Sequence, residues 1–139
     1  MQKIITTVAI TFFLFSTVNA QKAQYRPAIV AFYNCENFYD TVNNPIVDDE
    51  EFLPNSERHY DSHIFLDKVE RLSSVISQLG TDINPDGFAI LGVAEIENDT
   101  VLNILTHSKK LKNRNLKIVH YDSPDKRGID VGLLYNPKY

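Results

Sequence analysis

Apolar and polar positions along the chain fall into blocks of distinct period. Ala28-Ile29-Val30-Ala31-Phe32-Tyr33 and Phe88-Ala89-Ile90-Leu91-Gly92-Val93-Ala94 are continuous apolar runs. Runs of this length read as strands, and the second suits a strand buried on both faces. Between them, Phe65, Val69, Leu72, Val75, Ile76 and Leu79 recur at helical spacing. Asp61 or Ser62 can cap the start of that helix and Gly80 can close its end. The pattern predicts an amphipathic helix covering a sheet. A shorter helix is expected from about Thr100 to Lys110, and two more strands over Leu116–Tyr121 and Ile129–Tyr135. Asp40 to Ser62 reads as a long polar connection, turning at Asn43-Asn44-Pro45 and Leu53-Pro54-Asn55. Its acidic run, Asp48-Asp49-Glu50-Glu51, reads as a solvated loop and lacks the regular ligand spacing of a calcium loop.

The resulting order, β-loop-α-β-α-β-β, indicates an α/β layered fold. Four strands and two helices are thin for a sheet covered on both faces. The expectation is therefore an incomplete piece of a larger domain.

The first block follows other rules. Lys3 precedes an apolar run from Ile4 to Phe15, and Val18-Asn19-Ala20 then supplies small residues at the positions a signal peptidase reads. Residues 1–20 are thus read as a secretory signal peptide, and a secreted or periplasmic location is expected. The alternative is a membrane anchor, but the run is shorter than the ~20 residues a span needs. No later segment is long and apolar enough to cross a bilayer, so no span is expected once the signal is removed.

Charge narrows the partners. The chain carries a net −4, and without Lys3 the balance is one unit more acidic. Such a surface gives no general attraction to nucleic acid or anionic membranes, although it leaves room for a metal-assisted enzyme acting on phosphates. Cys35 is the single cysteine, so no internal disulfide framework exists. It reads as a small buried side chain rather than a reactive thiol.

Candidate chemistry collects where strands end. The first strand leads into Asn34-Cys35-Glu36-Asn37, the second into Glu95-Ile96-Glu97-Asn98, and the polar loop Asp122 to Gly128 leads into the last. Polar groups delivered at the ends of several strands suggest one shared site. Glu95 follows a buried strand directly, and a carboxylate there is a natural ligand for a hard divalent cation such as Mg²⁺. The Asn34 amide can donate to a phosphate oxygen and accept from a metal-bound water. Glu36 and Asn37 follow within reach. Capping of the loop by these side chains is the structural alternative.

At this point the residues resemble a family. Phe32-Tyr33-Asn34-Cys35-Glu36-Asn37-Phe38-Tyr39-Asp40 resembles the opening motif of the endonuclease/exonuclease/phosphatase superfamily. Pro85-Asp86, followed by Ile90-Leu91-Gly92-Val93-Ala94-Glu95, resembles its second motif, and Ser123 to Tyr135 resembles the next strand entry of secreted bacterial members. The resemblance runs from about Ala28 to Tyr139, so residues 21–139 are read as the N-terminal part of such a domain. It implies a four-layer α/β sandwich with the site at the top of two facing sheets. It implies Mg²⁺ or Mn²⁺ held by Glu95, with Glu36 as a second acidic group near the metal. Asn34 would contact the phosphate, and Arg127 and Asp130 would lie at the rim, with Arg127 a phosphate contact. The implied substrate is a phosphate ester, DNA or RNA included, and no stable protein partner is expected.

The family's activity also uses a later histidine, a strand ending in Gly-Asp-x-Asn and a C-terminal Ser-Asp-His, none of which occurs in these 139 residues. His59, His63, His107 and His120 lie in other contexts and read as structural or exposed. The expectation is a secreted metal-dependent phosphoesterase, an endonuclease or phosphodiesterase, present as an inactive fragment. The competing expectation is a non-catalytic binding module built on the first half of that fold.

Overall fold

The computed structural model describes residues 25–139. The expected signal peptide, residues 1–20, lies outside them. In chain order the elements are β1 (Val30–Phe38), α1 (Ser62–Ile76), β2 (Ile90–Ile96), α2 (Asp99–Thr106), β3 (Lys117–Tyr121) and β4 (Asp130–Tyr135). Short 3₁₀ turns cover Glu50–Phe52 and Lys112–Arg114. This is the α/β element order expected from the sequence.

Local chemistry sets the boundaries. Asp61 caps α1 by accepting from the His63 and Ile64 amides at 2.9 and 3.0 Å. Asn98 does the same for α2, accepting from Val101 N at 3.0 Å. The second helix is shorter than its apolar pattern suggested. The chain leaves it at His107 and turns through Lys112–Arg114, closing at Asn115 with φ +52°. Gly80, expected to end α1, lies beyond the helix end at φ +74°, in the turn where Asn84 N donates to its carbonyl.

The sheet has strand order β1-β2-β4-β3. β1 runs parallel to β2, and β4 is antiparallel to both β2 and β3. A parallel pair requires a long crossover, which α1 provides. Both helices contribute to a single apolar core with one face of the sheet. Phe65, Val69, Leu72 and Ile76 of α1 and Val101, Leu102 and Leu105 of α2 meet Leu91, Val93 and Leu134.

The opposite face is different. Val30, Phe32, Ile90, Val119, Tyr121, Val131 and Tyr135 are exposed, with Phe32 at 68% and Val131 at 64%. β2 was expected to be buried on both faces; among the described residues it is covered on one. The cause is the placement of both helices on the same side. Among the described residues no helix is long and apolar enough to cross a membrane.

The connection from Asp40 to Asp61 is more ordered than its polarity suggests. Tyr39 stacks on Phe52 at 4.0 Å between ring centroids, and Tyr60 meets Phe52 edge-on. The acidic run is only partly solvated, because Asp49 is buried and accepts from Asn44 N at 2.8 Å. Cys35 is buried and free, and burial pushes its thiol up to about 12, as suits an inert side chain.

Two glycines test which face is tightly packed. A Cβ at Gly132 would lie 2.9 Å from the Leu102 side chain of α2 and 3.2 Å from Val93. A Cβ at Gly92 would meet the Phe32 ring at 2.9 Å, but that ring lies on the open face and can swing into solvent. Gly132→Ala is expected to cost about 1–3 kcal/mol by overpacking, and Gly92→Ala clearly less. Urea unfolding of the two variants checks this; equal losses would contradict the packing described.

Candidate functional site

The site is built where β1 and β2 both leave regular register. Asn34 pairs with Ala94 and Phe38 pairs with Ile96. Cys35, Glu36 and Asn37 on one strand therefore face Glu95 alone on the other. Register also shifts between Ala94 and Ile96 on the β4 side. Bulges of this kind re-aim side chains at sheet ends. Three non-glycine residues here adopt left-handed backbone: Glu36 at φ +54°, Asn37 at φ +56° and Glu95 at φ +57°.

The Glu95 carboxylate ties the two bulges together. Its Oε1 accepts from the Asn34 side-chain amide and its Oε2 from the Asn37 backbone N–H, both at 3.0 Å. The Asn34 Oδ1 accepts from Glu36 N at 2.8 Å. This fixes the orientation of the Asn34 amide, since only its nitrogen can donate to a carboxylate. Asn34, Glu36, Asn37 and Glu95, expected from separate strand ends, are thus brought together.

Arg127 lies apart, on the loop before β4. Its guanidinium donates twice to Asp125, at 2.8 and 3.1 Å, and this pairing holds the Asp125 carboxyl below its usual range. The loop is docked against the site by Tyr39, whose hydroxyl donates to the Arg127 carbonyl at 2.7 Å. Arg127 and Asn37 line one cleft of about 390 Å³ with Tyr39 and Arg58. A larger cleft of about 610 Å³ runs beside Asn34, Glu36 and Asn37 and is walled by α1. Another cleft of about 610 Å³, between α2 and β3, contains none of the expected site residues.

Asp130 has a different setting from the rim expected of it. It is 6% exposed. Its Oδ1 accepts from Ser123 N at 2.7 Å and its Oδ2 pairs with His120 Nε2 at 2.8 Å. Oδ1 thus holds the start of the loop that carries Arg127, and Oδ2 ties Asp130 to His120 of β3. One ligand atom each from His120, Asp122 and Asp130 lie within 4.8 Å of one another, a grouping that could hold a metal ion.

Two further residues were given no role of their own by the sequence, although Glu97 belongs to the polar cluster that follows β2. Lys68 of α1 donates to the Glu36 carbonyl and, at 3.0 Å, to the Asn37 carbonyl. The signal was available: Lys68 interrupts the apolar stripe between Phe65 and Leu72. Glu97 lies just past β2, 7% exposed, and accepts from Asp40 N at 2.7 Å. Burial pushes its carboxyl up to about 7, assisted by Asp40, Asp49 and Asp130 nearby.

Residues 29–139 match the endonuclease/exonuclease/phosphatase family. The match covers most of the chain, which therefore belongs to that family, whose hydrolases act on phosphate esters. No curated protein and no solved structure matches the chain.

The Glu97 shift gives a pH dependence with a defined sign. A carboxyl at about 7 in the folded state and near 4.5 in the unfolded state favours folding below pH 4.5, and that contribution is lost as pH rises to about 7. The loss is on the order of 3 kcal/mol. Urea unfolding from pH 4 to 8 should show wild type weakening across this window and Glu97→Gln responding less. Identical pH profiles would contradict the burial argument.

Proposed function

We propose that Asn34, Glu36, Asn37 and Glu95 form the metal- and phosphate-binding part of a divalent-cation-dependent phosphoesterase of the endonuclease or phosphodiesterase kind. The observation that carries this is the Glu95 carboxylate, placed by paired bulges and anchored on both oxygens by amides. The donor set fits Mg²⁺ or Mn²⁺: it is all oxygen, and an ionised carboxylate with one amide on each oxygen retains lone pairs for an ion. Glu36 adds a second carboxylate one residue from the Asn37 amide.

When bound, the ion supplies Lewis-acid polarisation of a phosphoryl oxygen. Asn34 holds Glu95 in place and keeps a second amide N–H for a phosphate oxygen. Arg127, at the mouth of the neighbouring cleft, exchanges its Asp125 contact for a substrate phosphate, for which its planar fork is suited. Asp130 serves the same purpose from behind, by fixing the loop. The substrate is a phosphate ester, DNA and RNA included, and the protein acts after export, as the N-terminal segment supports. The family motifs that supply a base are not among these residues, so turnover needs groups beyond them.

Mn²⁺ binding followed by electron paramagnetic resonance tests the assignment. Wild type should bind the ion, Glu95→Gln should lose it, and Asn34→Ala should weaken it roughly 10–100-fold, as loss of an orienting partner does. Hydrolysis of bis-p-nitrophenyl phosphate by the same 139 residues should stay at background. Undiminished Mn²⁺ binding by Glu95→Gln would contradict the metal assignment.

A further inference from the structure

Lys68 occupies a position that helix burial would give to an apolar residue, between Phe65 and Leu72 on the core side of α1. It is half-buried, and among the described residues it takes part in no ion pair. Its Nζ instead meets two backbone carbonyls, those of Glu36 and Asn37. These are the two consecutive residues with left-handed backbone, φ +54° and +56°. An L residue is strained there, and two in succession need external support. The Asn37 amide leaving this turn is the group that reaches Glu95 Oε2 at 3.0 Å.

We propose that Lys68 is a positioning residue: its ammonium, shared between the Glu36 and Asn37 carbonyls, holds the left-handed turn that presents the Asn37 amide to Glu95. Its consequence for metal binding rests on the function proposed above; its consequence for the turn does not. The sign of the effect separates positioning from simple charge. Lys68 is a cation beside a cation site, so through charge alone its removal would tighten metal binding. Through positioning, its removal weakens metal binding, because Glu95 loses an anchor.

Two readouts on the full chain test this, with Lys68→Met keeping the length and apolar stem of the side chain. Amide hydrogen exchange at Asn37 should quicken at least tenfold in Lys68→Met, while the Leu91 and Val93 amides keep their protection. Mn²⁺ affinity, measured by electron paramagnetic resonance, should fall at least tenfold. Asn37 meets Glu95 only through its backbone N–H, which glycine keeps, so adding Asn37→Gly should recover most of the Mn²⁺ affinity, because glycine takes positive φ without strain. Unchanged exchange at Asn37, or Mn²⁺ binding as tight as wild type or tighter, would overturn the proposal. If Lys68→Met does not fold, the double variant decides: folding with near-wild-type Mn²⁺ affinity supports the clamp, and failure to fold shows that Lys68 serves the core instead. If Glu95→Gln leaves Mn²⁺ binding intact, the metal reading fails, and exchange at Asn37 still judges Lys68.

Discussion

The structure around the candidate site depends on one contact set, the Glu95 carboxylate held between the Asn34 side chain and the Asn37 backbone amide. Without it, β1 and β2 have no reason to bulge at the same level. Each left-handed residue there costs roughly 1–2 kcal/mol relative to ordinary backbone. Hydrogen bonds to a charged group return about 1.5–3 kcal/mol each. The balance is close, so the turn persists only while the carboxylate and its donors are all present. A fold that spends strain at this place gains a rigid carboxylate at the end of a buried strand, as a cation site requires.

That carboxylate sits where two surfaces meet. Side chains alternate along β1, so Val30, Phe32 and Asn34 share the open face while Cys35 turns to the core. The exposed apolar residues of the sheet therefore continue directly into the site. Whatever packs on Phe32 and Val131 also borders Asn34. On the other side α1 reaches the same turn through Lys68, so the helix layer and the open face are joined through a few bonds at Glu36 and Asn37.

Much of this was legible in the sequence. Apolar runs and helical spacing locate all six regular helices and strands of the described residues, and the polar strand ends point to Asn34, Glu36, Asn37 and Glu95. The boundaries were less legible. β1 was expected to end at Tyr33 and runs on to Phe38, because a bulge restores pairing at Phe38 and Ile96, which no local pattern reveals. The family resemblance implied a rim position for Asp130, yet its partners, His120 and Ser123, are brought to it by the β3–β4 pairing. Asp49 looked solvated within an acidic run, and the folding of its loop onto Tyr39 and Tyr60 buries it. Lys68 was visible as a charge in an apolar stripe, but its role depends on carbonyls more than thirty positions away.

Paramagnetic broadening by Mn²⁺ in an amide nitrogen–proton correlation spectrum tests the central claim most directly, because it maps the ion without requiring turnover. Substoichiometric Mn²⁺ should erase the amide signals of Asn34, Glu36, Asn37 and Glu95 first, leaving those of Asp122 and Ser123 until later. Broadening that begins around His120, Asp122 and Asp130 would place the ion at the other carboxylate group, and the account of Glu95 as the metal-binding residue would be wrong.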